Sequence, residues 1–408
     1  MTDKWHEVRL GDVLTLQRGF DLPAQDRKPG KVPIVSSSGI SGTHSEAKVA
    51  CPGVVTGRYG TIGQVFYIRE DFWPLNTTLF VKDFKGNDPL FVSYLLRTVD
   101  FGAHSDKSSV PGVNRNHLHT VMVDLPPLPE QRAIAAILGD LDDKIELNRR
   151  MNATLEELAR ATFHAWFEEF EPVRAKAKGH APQSADAATA ARFPDAFEDS
   201  AIGEVPRGWM VKPLPAAIEI NPLRSLSQGA IVPYLEMSNL PAHSARVLGW
   251  ESREFSSGMK FVNGDTLVAR ITPCLENGKT AFVDFLNDNQ VGWGSTEYIV
   301  LHSKPPLPPE YAYFLARSSD FRSHAIQNMT GTSGRQRVPV QCFDSYLIVV
   351  PPAQITERFG QIAALTVSTM KRHDDESRTL AAIRDALLPK LLSGEIRVRD
   401  AEQYVEVG

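Results

Sequence analysis

Two arginines each follow an apolar, glycine-led run and enter a polar turn. Gly53-Val-Val-Thr-Gly-Arg58 continues to Tyr59 and Thr61, and Gly264-Asp-Thr-Leu-Val-Ala-Arg270 continues to Thr272. A guanidinium at such a place can donate bidentately to a phosphate or a guanine edge, and neighbouring hydroxyls can meet further acceptors. Each half of the chain then has a longer polar loop with scattered cations. The first, Lys107 to Arg115, offers Lys107, Ser108, Asn114 and Arg115; the second, Thr330 to Arg337, offers Thr332, Ser333, Arg335 and Arg337. As a set these residues have the chemistry of a DNA-binding surface. The competing account is that they are ordinary solvated turns, with Arg58 and Arg270 held in internal ion pairs.

Residues for covalent chemistry are harder to find. Glycine patterns that cradle nucleotides are absent. Asn221-Pro-Leu-Arg224 keeps two positions of the Asn/Asp-Pro-Pro-aromatic signature of amino-group methyltransferases but lacks the second proline and the aromatic. No Glu-x-Lys follows Pro194-Asp195 as a metal-nuclease cluster would require, and His117 and His119 lack a nearby third ligand. Cys51, Cys274 and Cys342 lie far apart, without metal-ligand spacing, which fits a reducing cytosol. These absences favour a binding and scaffolding protein, with no catalytic residues and no metal site.

The chain has 408 residues, 42% of them hydrophobic, enough for two or three domains. Lys and Arg number 44 against 49 Asp and Glu, a net charge of −5, so a nucleic-acid surface would have to concentrate its positive charge locally. Met1 to Asp12 carries no apolar signal region, and no window nears about 18 uninterrupted apolar residues. A cytoplasmic protein without membrane contact is expected.

The elements that position the arginines are duplicated. Trp5 to Leu10 matches Trp209 to Leu214, Thr77 to Val81 matches Thr296 to Val300, and the short helical stretches Leu90 to Val99 and Glu310 to Ser319 end in Asp100-Phe101 and Asp320-Phe321. Extended runs, Val121 to Pro127 and Leu347 to Pro352, lead out of the polar loops and stop at Pro-Pro pairs. Two long helices follow. The first has a seam through Leu138, Leu141, Ile145, Asn148, Asn152 and Leu155; the second has one through Ile362, Thr369, His373, Leu380, Ile383 and Leu387. Steps of four and three suit a coiled coil whose polar middles meet and fix register. Either helix direction satisfies that match. A twofold axis perpendicular to the rods, as expected of a fused dimer, requires them antiparallel.

The expected fold class is therefore α+β, with two pseudo-twofold-related domains separated by two long antiparallel coiled-coil helices. The domain boundaries are 1–128 for the first unit, 129–170 for the central helix, 171–202 for a linker, 203–353 for the second unit and 354–408 for the second helix and tail. The Ala, Lys, Pro and Ser content of Glu171 to Ser200 predicts a mobile linker, with Phe193 to Phe197 docking. Two similar readers at a fixed spacing suit a split, twofold-related DNA site.

The chain resembles the specificity subunits of type I restriction-modification systems over nearly its whole length. The resemblance rests on Leu125-Pro-Pro-Leu-Pro-Glu-Gln-Arg-Ala-Ile134, on Phe193-Pro-Asp to Gly203-Glu-Val-Pro-Arg-Gly-Trp209, and on Leu387-Leu-Pro-Lys-Leu-Leu-Ser-Gly-Glu-Ile396. It implies two target recognition domains reading a bipartite sequence in double-stranded DNA, with the helices as a molecular ruler. It also implies two modification subunits that methylate adenine N6 with S-adenosylmethionine, and restriction subunits that use ATP and Mg, leaving no cofactor on this chain. Pro351-Pro-Ala-Gln-Ile-Thr-Glu-Arg358 departs from the pattern by losing the Leu-Pro-Glu-Gln core. The rival expectations are a self-contained DNA methyltransferase or nuclease, and a coiled-coil interaction scaffold that never touches DNA.

Overall fold

A computed structural model describes residues 5–103, 112–332 and 334–398. The chain mixes helix and strand and divides into two compact units, 1–147 with 376–408, and 148–375. Both long helices, Leu128–Phe163 and Ala353–Leu392, contribute to both units.

In the first unit, His6–Arg9 pairs antiparallel with Met122–Leu125. A four-stranded sheet has the order Thr15–Arg18, Thr78–Asp83, Gly53–Gly57, Val65–Ile68. A second sheet places Val32–Ser36 between Gly39–His44, antiparallel, and Trp73–Pro74, parallel. The second unit repeats this plan. Met210–Pro213 pairs with Leu347–Val350. Its first sheet runs Ile218–Ile220, Tyr298–Ser303, Thr266–Ala269, Thr280–Phe282, and in its other sheet Ile231–Leu235 again has an antiparallel neighbour, Glu251–Glu254, and a parallel one, Gly292–Gly294. Met259–Phe261 is an addition there.

The strand register corrects one sequence equivalence. Gly57 lies opposite Thr78, and Ala269 lies opposite Tyr298. Thr77 therefore corresponds to Glu297, one residue beyond the Thr296 that the sequence match selects, because backbone pairing decides which residue faces the arginine.

Each family-like motif has a packing role. Gln131, almost fully buried, accepts from Asp88 N at 3.0 Å and donates to Asn87 Oδ1 at 2.8 Å and Pro126 O at 2.9 Å, tying the first long helix to the cap of the short helix Pro89–Arg97. The departure at the second helix is compensated. Counted from the Pro-Pro pair, Thr356 takes the place of Gln131, is fully buried, and donates to Pro306 O at 2.8 Å. At the other end of that helix Leu387, Leu391 and Leu392 join the first unit's core with Leu138 and Leu141.

Within each unit the helices run antiparallel. Asp142 meets Arg384 at 2.6 Å and Lys144 meets Glu376 at 3.4 Å in the first. Among the seam residues here, Leu138, Leu141 and Leu387 are buried, Leu380 and Ile383 are half-buried against them, and Ile145 is half-buried. In the second unit Asn148 Nδ2 donates to His373 O at 3.3 Å, and Asn152 Oδ1 lies 2.8 Å from His373 Nδ1. Leu155 and Ile362 are half-buried against that core. The sequence-predicted seam is shifted by one at Thr369. Met370 is the buried residue, its carbonyl taking Asn152 Nδ2 at 3.2 Å, whereas the Thr369 hydroxyl accepts from Arg372 on its own helix.

The stretch read as a mobile linker is folded. Glu171 opens a helix, Glu171–Ala177, and its carboxylate accepts from Gln183 N at 2.9 Å and from Ser184 N and Oγ. Trp166 Nε1 donates to Ser184 O at 3.1 Å, and Phe193 packs edge-on against Trp166 with ring centroids 5.3 Å apart. Composition predicts solvation here, and burial of a few aromatics overrides it.

Candidate nucleic-acid interface

The duplicated sheets deliver Arg58 and Arg270 to matching places. Arg58 N donates to Thr77 O at 2.9 Å, and its carbonyl accepts from Val113 N at 3.0 Å. Arg270 N donates to Glu297 O at 2.9 Å, and its carbonyl accepts from Val338 N at 2.9 Å. In both units the arginine is thus held between the neighbouring strand and the returning end of the polar loop.

In the first unit Arg58, Tyr59, Asn114 and Arg115 line a cleft of about 300 Å³, together with Arg18, which sequence reading passed over. Arg18 closes its own strand, paired to Leu79, so only the sheet order brings it there. The Arg58 guanidinium lies 4.6 Å from the centre of the Tyr59 ring, a cation–π contact that orients it. Among the described residues no carboxylate lines this cleft, though the exposed Asp21 lies 3.6 Å from Arg18, whereas larger hollows of about 700 and 550 Å³ in the second unit set Glu157, Glu168, Glu169 and Glu171 beside their basic residues. A polyanion therefore suits the first unit's cleft best.

Two glycines shape it. A Cβ at Gly57 would lie 1.9 Å from Thr61 O, so the Arg58 turn closes only over glycine. A Cβ at Gly112 would lie 2.3 Å from Cε1 of Tyr59. Gly112→Ala is therefore expected to displace Tyr59 and with it Arg58, lowering the affinity of the cleft for a polyanion such as duplex DNA about tenfold, comparable to one lost charged contact, while the thermal midpoint stays within a few degrees. Titration of labelled duplex alongside a melting curve checks both.

Several predicted contacts are altered. Asn114 Oδ1 caps the turn at Asn116 N, 3.0 Å, leaving its amide nitrogen as the available group. The Thr272 hydroxyl points to Met329 Sδ at 3.8 Å, an internal contact. Arg337, expected as a plain DNA cation, is ion-paired to Glu297, with N···O distances of 2.7, 2.8 and 2.9 Å. Among the described residues Arg58 and Arg270 take part in no ion pair, so the ion-pair account applies to Arg337 and not to them. Thr332 and Arg335 are exposed in a turn closed by Arg335 N to Thr332 O at 3.0 Å, and Thr61 is half-buried. Lys107, Ser108 and Ser333 lie outside the described residues. His119 accepts from Leu16 N at 3.0 Å through Nε2, and burial lowers its pKa, so it serves as a neutral acceptor. Among the described residues no helix is long and apolar enough to cross a membrane, and no cluster of metal-ligating residues forms.

The sequence pattern of the family described as "Type I restriction modification DNA specificity domain" matches residues 2–157. The MjaIX specificity subunit of Methanocaldococcus jannaschii is 22% identical over 325 residues, covering 76% of this chain and 69% of that protein. The HindI specificity subunit of Haemophilus influenzae is 25% identical over 353 residues, covering 72% of this chain and 73% of that one. Over most of its length this chain is similar to type I specificity subunits. A solved type I restriction-modification S subunit from M. genitalium shares the fold, with a TM-score of 0.58 over 96% of both chains at 15% identity.

Proposed function

We propose that this specificity subunit is a non-catalytic DNA reader, recognising a bipartite site through its two repeated units and docking modification and restriction subunits. One observation carries the reading. The same strand order occurs twice, and each copy ends a central strand in an arginine clasped by a returning polar loop. A scaffold that never touched DNA would have no use for that second copy of the turn chemistry. The long helices, joined by the Asn148, Asn152 and His373 contacts, act as the ruler for the gap between half-sites. S-adenosylmethionine belongs to the modification subunits, and ATP with Mg to the restriction subunits.

Sequencing of methylated adenines in cells that carry this chain with its modification subunit, against cells lacking it, tests the proposal. A split motif with a fixed gap, present only with this chain, is expected; methylation unchanged by its deletion would refute it. The cleft has its own test. Arg18→Ala, Arg58→Ala and Arg115→Ala should each reduce the slope of log affinity against log salt by about 0.9, the signature of one lost phosphate contact. An unchanged slope in all three would remove the cleft from the interface.

A further inference from the structure

The Glu297–Arg337 pair is much closer than the ion pair at the first unit's cleft, 2.7 Å against 3.6 Å for Arg18 and Asp21. Its carboxylate takes Nε and Nη2 of the guanidinium, and Nη1 reaches Arg335 O at 3.3 Å. A guanidinium has five N–H groups. With three engaged, the remaining two, one on each terminal nitrogen, form the outer end of the fork. The side chain is 44% exposed, so that end can be reached. The backbone beneath it is fixed, since Thr330 and Arg337 exchange hydrogen bonds of 2.9 and 2.8 Å and Ile271 bridges to Arg337 from the other side.

We propose that Arg337 reads a guanine in the half-site of the second unit and that Glu297 is its positioning residue. This rests on the DNA-reading function proposed above and names the base. A phosphate is a poor match, because the adjacent carboxylate cancels the cation's charge and repels a second anion. Among base edges in the major groove, guanine alone offers two acceptors, O6 and N7, to two parallel N–H donors. Adenine pairs its acceptor with a donor, cytosine offers a donor, and thymine a single acceptor. Holding the guanidinium from its side edge removes the rotamer freedom that would let it turn to other partners.

The test uses the full chain with its modification subunits and duplexes carrying the motif found by methylation sequencing. Replacing each guanine in turn by 7-deazaguanine should weaken binding of the wild-type complex roughly tenfold or more at one position, as loss of a bidentate partner does. With Arg337→Ala that position should become insensitive while the others keep their effect. Arg337→Lys should not restore discrimination, and Glu297→Gln should reduce it at the same position. Two results would overturn the inference: no guanine whose deaza form matters to the wild-type complex, or an Arg337→Ala loss equal on all duplexes. The deaza series needs no variant to fold. A wild-type complex that bound the motif duplex no better than a duplex of unrelated sequence would overturn the specificity reading itself, a failure separable from the absence of any deazaguanine effect.

Discussion

Arg246→Ala is expected to cost the second unit about 3–5 kcal/mol, the largest effect of any single substitution considered for this chain. The Arg246 side chain is 1% exposed and lies 2.6 Å from Asp284, and it also pairs with Asp374 of the second long helix. Asp374 in turn accepts from Asn152 Nδ2 at 2.8 Å. The arginine therefore fastens a loop of the globular part, where Arg246 bridges to Phe282, to the polar middle of the helix pair. Removing it takes the Arg246 cation away from two mostly buried acids, 11% and 16% exposed, and the desolvated charge left there, more than the lost attraction, sets the magnitude. Arg246→Lys keeps the charge but cannot span both acids with a planar fork, so an intermediate loss is expected. Urea titration followed by far-ultraviolet circular dichroism measures both. A loss below about 1 kcal/mol for the alanine variant would mean that water solvates the acids and that the network is not buried in solution.

The network also explains what the sequence could and could not reveal. Asn148, Asn152 and His373 stand out in the sequence because polar residues interrupt an apolar period. Arg246 and Asp284 sit in irregular segments, where no period marks them. The duplication was legible for a similar reason: Trp5 and Trp209, or Asp100-Phe101 and Asp320-Phe321, are rare residues at matched spacing. Trp73 and Trp293 form another such pair, opposite Ile34 and Tyr234 in parallel ladders, yet their flanking residues differ too much to be matched without the sheets. The candidate surface was legible in type but not in state. That Arg58 takes part in no ion pair among the described residues while Arg337 is clamped depends on a carboxylate 40 residues from Arg337 and on a register offset of one residue. Arg18 was missed because strand order, which brings it beside Arg58, is a long-range property. The folded stretch after Glu171 was missed because composition reports average solvation, and two buried aromatics suffice to reverse it.

Asp142→Asn is expected to destabilise the first unit by about 2 kcal/mol at neutral pH, with a pH dependence that identifies the cause. The Asp142 side chain is 24% exposed and accepts from Tyr94 Oη at 2.8 Å, Arg97 Nη1 at 3.0 Å and Arg384 Nη1 at 2.6 Å. Burial by itself raises a carboxyl pKa, but the hydrogen bonds from Arg384 and Tyr94 and the charge of Arg97 outweigh it and leave Asp142 below its ordinary value. Burial, reinforced by the Asp142 charge, pushes the Tyr94 hydroxyl's pKa up, so the phenol remains a donor across the accessible range. The sign follows from linkage. A depressed carboxylate pKa means that the unfolded chain binds the extra proton first. The stability from Asp142 is therefore complete above its unfolded value, about 3.8, and is lost as pH falls through that value toward the lower folded one. Wild type and Asp142→Asn should thus differ fully at pH 7 and converge only as pH falls below the depressed folded value, where the wild-type carboxyl also becomes neutral. A gap that stayed constant with pH would assign the loss to packing around residue 142, and the two arginines would then be surface neighbours without a structural charge between them.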